Sequence, residues 1–148
     1  MKTAHKIKVS VFVKPEENDA HIKDKFISLF PFDLGKEKIE INQINATGFK
    51  QREIKIYEAE LNKNRHINDF LRKLNRRLGE EQKEKLLMQT DSRLDDNLDF
   101  FIRLDKGKML KDDVKVTDSG NCFHIKISIA AFPKNLENAI KSIKQIFK

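Results

Sequence analysis

Apolar residues occupy every second position over residues 98–105, directly after an acidic turn. The apolar positions are Leu98, Phe100, Ile102 and Leu104, and the positions between them are Asp99, Phe101, Arg103 and Asp105. Because successive side chains of a strand point to opposite faces, this pattern predicts a central strand with one face in the core and the other half-exposed.

Alternation in other segments extends this strand to a sheet of about five strands. The other predicted strands are residues 6–14, 38–44, 53–61 and 123–131. Apolar residues at helical spacing predict helices between residues 16 and 31, 64 and 78, 80 and 89, and after Pro133. The order β-α-β-β-α-α-β-β-α, with short late connections, predicts an α+β fold with a single mostly antiparallel sheet and helices packed on one face.

Several local features of these elements follow from individual residues. Asn64 is expected to cap the second helix, and Gly79 is expected to break it. Residues 45–50 are expected to form a turn, and residues 106–116 a short helical turn and loop. The predicted buried stripe of the last helix consists of Leu136, Ala139, Ile140, Ile143 and Phe147.

The length of 148 residues is typical of one domain, so we expect residues 1–148 to form a single domain. Cys122 is the only cysteine, which excludes an intrachain disulfide and fits a reducing compartment. No apolar run approaches the roughly 20 residues of a membrane span, and the first residues lead into a strand without a secretory signal. These features predict a cytoplasmic protein with no membrane partner.

The formal net charge is +7, from 30 Lys and Arg against 23 Asp and Glu. A basic balance of this size favours polyanionic partners, of which nucleic acid is the most common. Surfaces rich in Lys and Glu also occur in thermophilic proteins that bind no nucleic acid, so the charge alone leaves both alternatives open.

A cluster of basic residues on the second predicted helix is the strongest indication of function. We call these residues the α2 cluster: Lys63, Arg65, Arg72, Lys73, Arg76 and Arg77. Arg72 and Arg76, like Lys73 and Arg77, are four residues apart, and each such like-charge pair destabilises an isolated helix by about 0.2–0.5 kcal/mol. The cluster therefore predicts phosphate contacts, unless acids elsewhere, such as Glu80, Glu81 or Glu84, neutralise it.

Two aromatic residues lie on the nominally polar faces of their strands. Phe12 shares its face with Lys6 and Lys8, and Phe101 shares its face with Arg103. Aromatic rings among basic residues can stack on unpaired bases, but such rings also pack under helices or at dimer contacts. The last helix carries Lys134, Lys141, Lys144 and Lys148, which are expected to form a solvated face.

The sequence contains no strong catalytic pattern. The acidic segment with Asp91, Asp95, Asp96 and Asp99 raises the alternative of a Mg²⁺-dependent nuclease, although its carboxylates come from one turn rather than from separate elements. The four histidines lack zinc-ligand spacing, Cys122 has no evident base partner, and the glycines form no nucleotide-binding loop. We therefore expect a protein without cofactor or metal that is not an enzyme.

Five segments of the chain, in a fixed order and spacing, form a recognisable pattern: residues 9–13, 29–31, 93–98, 103–106 and 130–133. In this pattern the chain resembles a family of small archaeal RNA-binding proteins that are predicted to be subunits or associates of the RNA-degrading exosome. The resemblance implies an α+β fold likened to a double-stranded-RNA-binding domain, no catalytic residues, and RNA or RNA-processing proteins as partners. After Asp105 and Lys106, residues 107–110 depart from the family pattern.

These observations together predict a non-catalytic protein that contacts the phosphate backbone of structured RNA through the α2 cluster. The alternative is a module that binds other proteins or forms a homodimer through a strand edge or an apolar face, and that has no specific affinity for RNA.

Overall fold

The computed structural model describes residues 2–148 of the protein. The strands are β1 (Ala4–Val13), β2 (Asn42–Thr47), β3 (Glu53–Leu61), β4 (Asp99–Asp105) and β5 (Cys122–Ile129). The helices are α1 (Asp19–Ser28), α2 (Asn64–Met88), α3 (Thr90–Arg93), α4 (Lys106–Met109) and α5 (Leu136–Ile146), and a 3₁₀ helix spans Phe49–Gln51. All strand pairs are antiparallel in the order β2-β3-β1-β5-β4, which confirms the predicted fold class.

The sheet has one apolar face and one mixed face, as the alternation predicts. Alternate residues of the three strands on the β4 side are fully buried, namely Ile7, Val9, Ile125, Ile127, Phe100 and Ile102. The residues between them, including Lys8, Lys126 and Phe101, remain partly exposed. The helices therefore cover one face, and we call the other one the open face.

Three helices supply the second half of the core. Phe26 of α1 and Phe70 of α2 both lie against Phe30, with ring centroids 5.6 and 5.4 Å from the Phe30 ring. After α5, Phe147 packs 5.9 Å from the ring of Phe100 in β4. The buried apolar residues of strands and helices form one continuous cluster, which holds the helices to the sheet.

The second strand lies later in the chain than its alternation predicts. Residues 38–44 were the expected strand, but Lys38 has a positive φ of 57° and the backbone N–H of Ile39 donates to the carbonyl of Leu34. Ile39 packs against the core without joining the sheet, and β2 begins only at Asn42. The expected turn at residues 45–50 is correspondingly shifted, because β2 continues to Thr47.

Two other local predictions are wrong. Lys63, and not Asn64, is the N-cap of α2, and it makes no capping side-chain hydrogen bond because its ammonium group cannot accept one from a backbone N–H. In α5, Leu136 is 54% exposed although it was expected in the buried stripe, and Ile146 is buried instead.

Lys106, directly after β4, is buried to 1% exposure. Its Nζ donates to the carbonyl of Phe12 over 2.7 Å and to the carboxylate of Glu17 over 3.1 Å, and it lies 4.0 Å from the centroid of the Phe12 ring. A buried ammonium is tolerable only with such partners, and burial lowers the pKa of Lys106 despite the carboxylate. This contact joins the end of β4 to the β1–α1 connection.

Gly79 breaks α2 as predicted, with φ 74° and ψ 169°. Residues with a Cβ are strongly disfavoured at these angles, and no atom lies within 4 Å of a Cβ placed there. A side chain at residue 79 would therefore destabilise the fold through backbone strain and not through a steric clash with neighbouring atoms.

We expect Gly79→Ala to lower the free energy of unfolding by about 1–3 kcal/mol, measured by urea denaturation. Gly120→Ala is the matched control, because Gly120 also has open space around its Cβ position and lacks a positive φ. Both changes restrict the unfolded chain equally, so their difference isolates the backbone strain. Equal unfolding free energies of the two variants would contradict the conformation of Gly79.

Candidate nucleic-acid interface

The six residues of the α2 cluster do not share one surface. Arg72 and Arg76 lie on the exposed side of α2, on consecutive turns. Arg72 Nη1 lies 2.9 Å from Asp69 Oδ1 in a solvent-exposed ion pair, and Arg76 has no hydrogen bond or ion pair to any residue that the structure describes. Exposed ion pairs of this kind contribute about 0–1 kcal/mol, so a phosphate can compete for Arg72.

Lys73 and Arg77 point the other way, towards the end of α1. Lys73 Nζ donates to the carbonyls of Ser28 and Phe30 over 2.6 and 3.1 Å, and Arg77 Nη1 donates to the Ser28 carbonyl over 3.2 Å. The last carbonyls of a helix lack intrahelical partners and carry negative partial charge, which cations satisfy. Burial, together with Arg77 and Arg76, lowers the pKa of Lys73.

The remaining two residues mark the start of α2. Lys63 is exposed at the N-cap, and Arg65 Nη2 lies 3.4 Å from Glu37 Oε1. The acids expected to neutralise the cluster lie elsewhere along α2, where Glu80 pairs with Lys83 over 3.0 Å. The two like-charge pairs of the cluster therefore point in different directions. Arg72 and Arg76 face solvent, whereas Lys73 and Arg77 face α1.

A second group of basic and aromatic residues lies on the open face. In the register of β4 and β5, Arg103 is opposite His124 and Phe101 is opposite Lys126. The rings of Phe101 and His124 are 5.6 Å apart, and Lys8 is opposite Lys126 on the next strand. Alternation alone places Phe101 beside Arg103, but only the strand register brings His124 and Lys126 to them.

The acidic turn before β4 holds its carboxylates in local contacts. Asp95 accepts hydrogen bonds from the backbone N–H groups of Asn97 and Asp99 over 2.9 Å each, and Asp99 accepts from Ser128 over 2.8 Å. Within residues 2–148, no three His, Cys, Asp or Glu side chains converge on a position that could hold a metal ion.

Cys122 is buried, and burial raises the pKa of its thiol. A raised pKa lowers the thiolate fraction that a nucleophile needs. In the part of the chain that the structure describes, no helix is long and apolar enough to cross a membrane.

Comparison with known proteins places this geometry in a family. A family model described as RNA binding matches residues 6–129. The chain belongs to this RNA-binding family. The match covers β1 from Lys6 onwards, strands β2 to β5 and helices α1 to α4, but not α5.

Relatives of the chain are archaeal. RNA-binding protein PAB1135 of Pyrococcus abyssi is 28% identical over 96% of this chain and 92% of its own length. The crystal structure of AF2318 from Archaeoglobus fulgidus, a DUF54 protein, has a TM-score of 0.86 at 26% identity, covering 97% of this chain and 99% of that one. Mth689 of Methanothermobacter thermautotrophicus, also a DUF54 protein, shares the fold with a TM-score of 0.79 at 22% identity, covering 99% and 100%.

We expect Lys73→Met to lower the free energy of unfolding by about 1–3 kcal/mol, since it removes the charged donor of two helix-terminal carbonyls. Arg76→Met, four residues from the Arg72 side chain on the exposed face, should change it by less than about 0.5 kcal/mol. Urea denaturation of both variants gives the comparison. A larger loss in Arg76→Met than in Lys73→Met would contradict the inward placement of Lys73.

Proposed function

We propose that the protein binds structured RNA, chiefly through phosphate contacts, and that the α2 cluster makes these contacts. The observation that carries the proposal is the pair Arg72 and Arg76, which face solvent on consecutive turns of α2 with Asp69 as the one acid at ion-pair distance among the described residues. Guanidinium groups in this arrangement are suited to neighbouring phosphates of one strand. Membership in the RNA-binding family supports the choice of ligand.

The other members of the α2 cluster contribute in two ways under this proposal. Lys63 and Arg65 extend the positive surface towards the start of α2, where both side chains are exposed. Lys73 and Arg77 fix α2 against the end of α1 and add positive charge behind Arg72 and Arg76. Half-buried cations are less able to reach a phosphate, so their direct share in binding should be the smaller one.

We propose a binding protein and not an enzyme. The described carboxylates and histidines form no cluster suited to a metal ion, and the single thiol is buried with a raised pKa. The family model and the relative from Pyrococcus abyssi are described by RNA binding, not by a reaction.

An association with the RNA-degrading exosome, a cytoplasmic location and a likeness to double-stranded-RNA-binding domains belong to the same proposal, with residues 1–148 acting as one domain. The exosome association and the likeness to a double-stranded-RNA-binding domain rest on the order and spacing of the family-like segments between residues 9 and 133. The cytoplasmic location rests on the single cysteine, Cys122, which fits a reducing compartment, and the single domain rests on the length of 148 residues. Purification of the tagged protein from an archaeal lysate after nuclease treatment and a high-salt wash tests the association. Exosome subunits that remain bound would support it, and their loss would contradict it.

One observation favours the alternative of a protein-binding module or homodimer. Strand β2 forms the outer edge of the sheet beyond β3, all of its residues are exposed, and Ile44 is 44% exposed. Unpaired strand edges are sites at which another chain can add a strand. A protein complex that survives nuclease treatment, combined with weak and salt-labile RNA binding, would favour this alternative.

We expect Arg72→Glu combined with Arg76→Glu to weaken binding to a fluorescein-labelled hairpin RNA by about ten-fold or more at about 150 mM salt. The slope of log Kd against log salt should fall by about two, because each lost phosphate contact removes about one counterion. Fluorescence anisotropy across a salt series, with single-stranded RNA and duplex DNA as comparison ligands, measures both quantities.

Lys141→Glu combined with Lys144→Glu is the matched control. It makes the same change of net charge on α5, and Lys141 lies beside Glu137 as Arg72 lies beside Asp69. Equal losses of affinity in the two double variants would show that overall charge, and not α2, governs binding. An unchanged slope in the α2 variant would remove this helix from the site.

A further inference from the structure

The open face of the sheet contains a depression of about 420 Å³ at the β4 edge. Its lining combines an aromatic ring with two arginines, a histidine and one carboxylate, and consists of Ser92, Arg93, Phe101, Arg103, Asp118 and His124. A depression of this size falls in the range of small-ligand sites, about 300–1,000 Å³. The long helices α1, α2 and α5 pack on the opposite face, and the short helix α3 borders the depression through Ser92 and Arg93.

The guanidinium groups of Arg93 and Arg103 both donate to Asp118 at this depression. Arg93, which is 7% exposed, donates through Nη2 to Asp118 Oδ1 over 3.2 Å and to Gln89 Oε1 over 2.7 Å, and through Nη1 to the Phe101 carbonyl over 3.3 Å. Arg103 Nη1 donates to the backbone carbonyl of Asp118 over 2.9 Å. The charge of Arg103 adds to burial in lowering the pKa of Arg93, so two like charges are close to each other here.

Arg103 differs from the lysines of the same face in its partners. Lys8 pairs with Glu58 over 3.3 Å, and Lys126 pairs with Asp99 over 3.5 Å. Arg103 is exposed and has no carboxylate at ion-pair distance among the residues described. An anion that enters the depression could therefore contact Arg103 without displacing a carboxylate, whereas Arg93 is already paired with Asp118.

Phe101 is the aromatic surface most suited to a ligand on this face. Its ring is half-buried beside His124, at 5.6 Å and an angle of 39°, and borders the depression. Phe12, on the same face, already has the ammonium groups of Lys106 and Lys14 at 4.0 and 5.8 Å from its centroid. Burial and the charges of Arg103, Lys126 and Lys8 lower the pKa of His124, which keeps its ring neutral for stacking.

We propose that this depression binds an unpaired nucleotide of RNA, with its base against the ring of Phe101 and its phosphate at Arg103. A flat π surface beside a guanidinium that has no carboxylate at ion-pair distance among the described residues matches the two chemical parts of a nucleotide, the base and the phosphate. The inference rests on the proposed RNA binding but uses a different surface: Phe101 lies on the sheet face opposite the helices, whereas Arg72 and Arg76 lie on the outside of α2.

A second copy of the chain fits this depression less well than a nucleotide. The apolar part of the open face is Ile44, Ile56 and Phe12, which lie side by side in the register of β2, β3 and β1. Phe12 and Ile56 line a neighbouring hollow, which also has Arg103 and His124 in its lining. The depression itself is lined mainly by charged and polar groups. Positive charge held close together against its own repulsion is complementary to an anion and not to another copy of the same basic protein.

The test compares a short fluorescein-labelled oligouridine RNA with a blunt-ended hairpin RNA by fluorescence anisotropy. A non-nucleotide linker closes the stem of this hairpin, so that it contains no unpaired nucleotide. We expect Phe101→Ala to weaken binding of the oligouridine by about five-fold to a hundred-fold, the range for loss of one stacked base, and to leave hairpin binding within about two-fold. Phe101→Tyr should retain oligouridine binding, because the ring is preserved. Phe132→Ala is the matched control, since Phe132 is 74% exposed and outside the depression.

Arg103→Gln keeps the proposal testable if Phe101→Ala fails to fold, because Arg103 is exposed. This variant should lower the salt slope of oligouridine binding by about one and leave the hairpin slope unchanged. Unchanged oligouridine affinity in both Phe101→Ala and Arg103→Gln would overturn the proposal. A dimer seen by sedimentation that Phe101→Ala disrupts would also overturn it, because the face would then bind a second copy.

The two proposals fail in distinguishable ways. If the wild-type protein binds neither RNA, RNA binding itself is wrong. If hairpin binding depends on Arg72 and Arg76 while oligouridine binding does not depend on Phe101 or Arg103, only the nucleotide site is wrong. If oligouridine binding depends on Phe101 while hairpin binding does not depend on Arg72 and Arg76, the proposed nucleotide site is supported and the proposed role of the α2 cluster is wrong.

Discussion

One face of the sheet is apolar from β3 to β4, and the arrangement of the chain follows from the need to remove that face from water. Ile7, Phe100 and Ile125 on three adjacent strands are all completely buried. Burial of such side chains is the main favourable term in folding, and the helices supply the opposing apolar surface. Because all three long helices are used on this side, the opposite face of a five-stranded sheet is left uncovered, with its charged and aromatic side chains in contact with solvent.

The basic side chains of α2 divide between a contact with α1 and the exposed surface of the helix. Side chains on adjacent positions of a helix point in different directions, so Arg72 and Lys73 reach different surroundings although they are neighbours in sequence. Lys73 satisfies carbonyl groups at the end of α1, and Arg72 remains at the surface beside Asp69. Part of this run of like charges therefore joins α2 to α1. Between residues 72 and 77, only the exposed members, Arg72 and Arg76, are accessible to a ligand.

Sequence patterns predicted the fold better than they predicted the site, for a physical reason. Which face a strand residue occupies depends only on its own alternation, so the buried set of β4 and the position of Phe101 were correctly predicted. Strand register depends on pairing between distant segments, and the neighbours His124 and Lys126 could not be assigned to Phe101 without it. The start of β2 was predicted too early because Ile39 is apolar for another reason. It packs against the core from a loop, so the sequence there has the same apolar spacing as a paired strand. Likewise, Lys73 and Arg77 could be assigned to α1 only once the helices were in place.

The buried ammonium of Lys106 has a practical consequence for following the opening of this protein. Acylating reagents react with an uncharged amine that solvent can reach, and the amine of Lys106 is enclosed by Phe12 and Glu17. Acylation at residue 106 therefore requires the contact between the end of β4 and the β1–α1 connection to open first, whereas surface lysines such as Lys144 are accessible in the native state. The labelling rate of Lys106, measured by mass spectrometry and compared with that of Lys144, therefore reports how often the end of β4 separates from the β1–α1 connection.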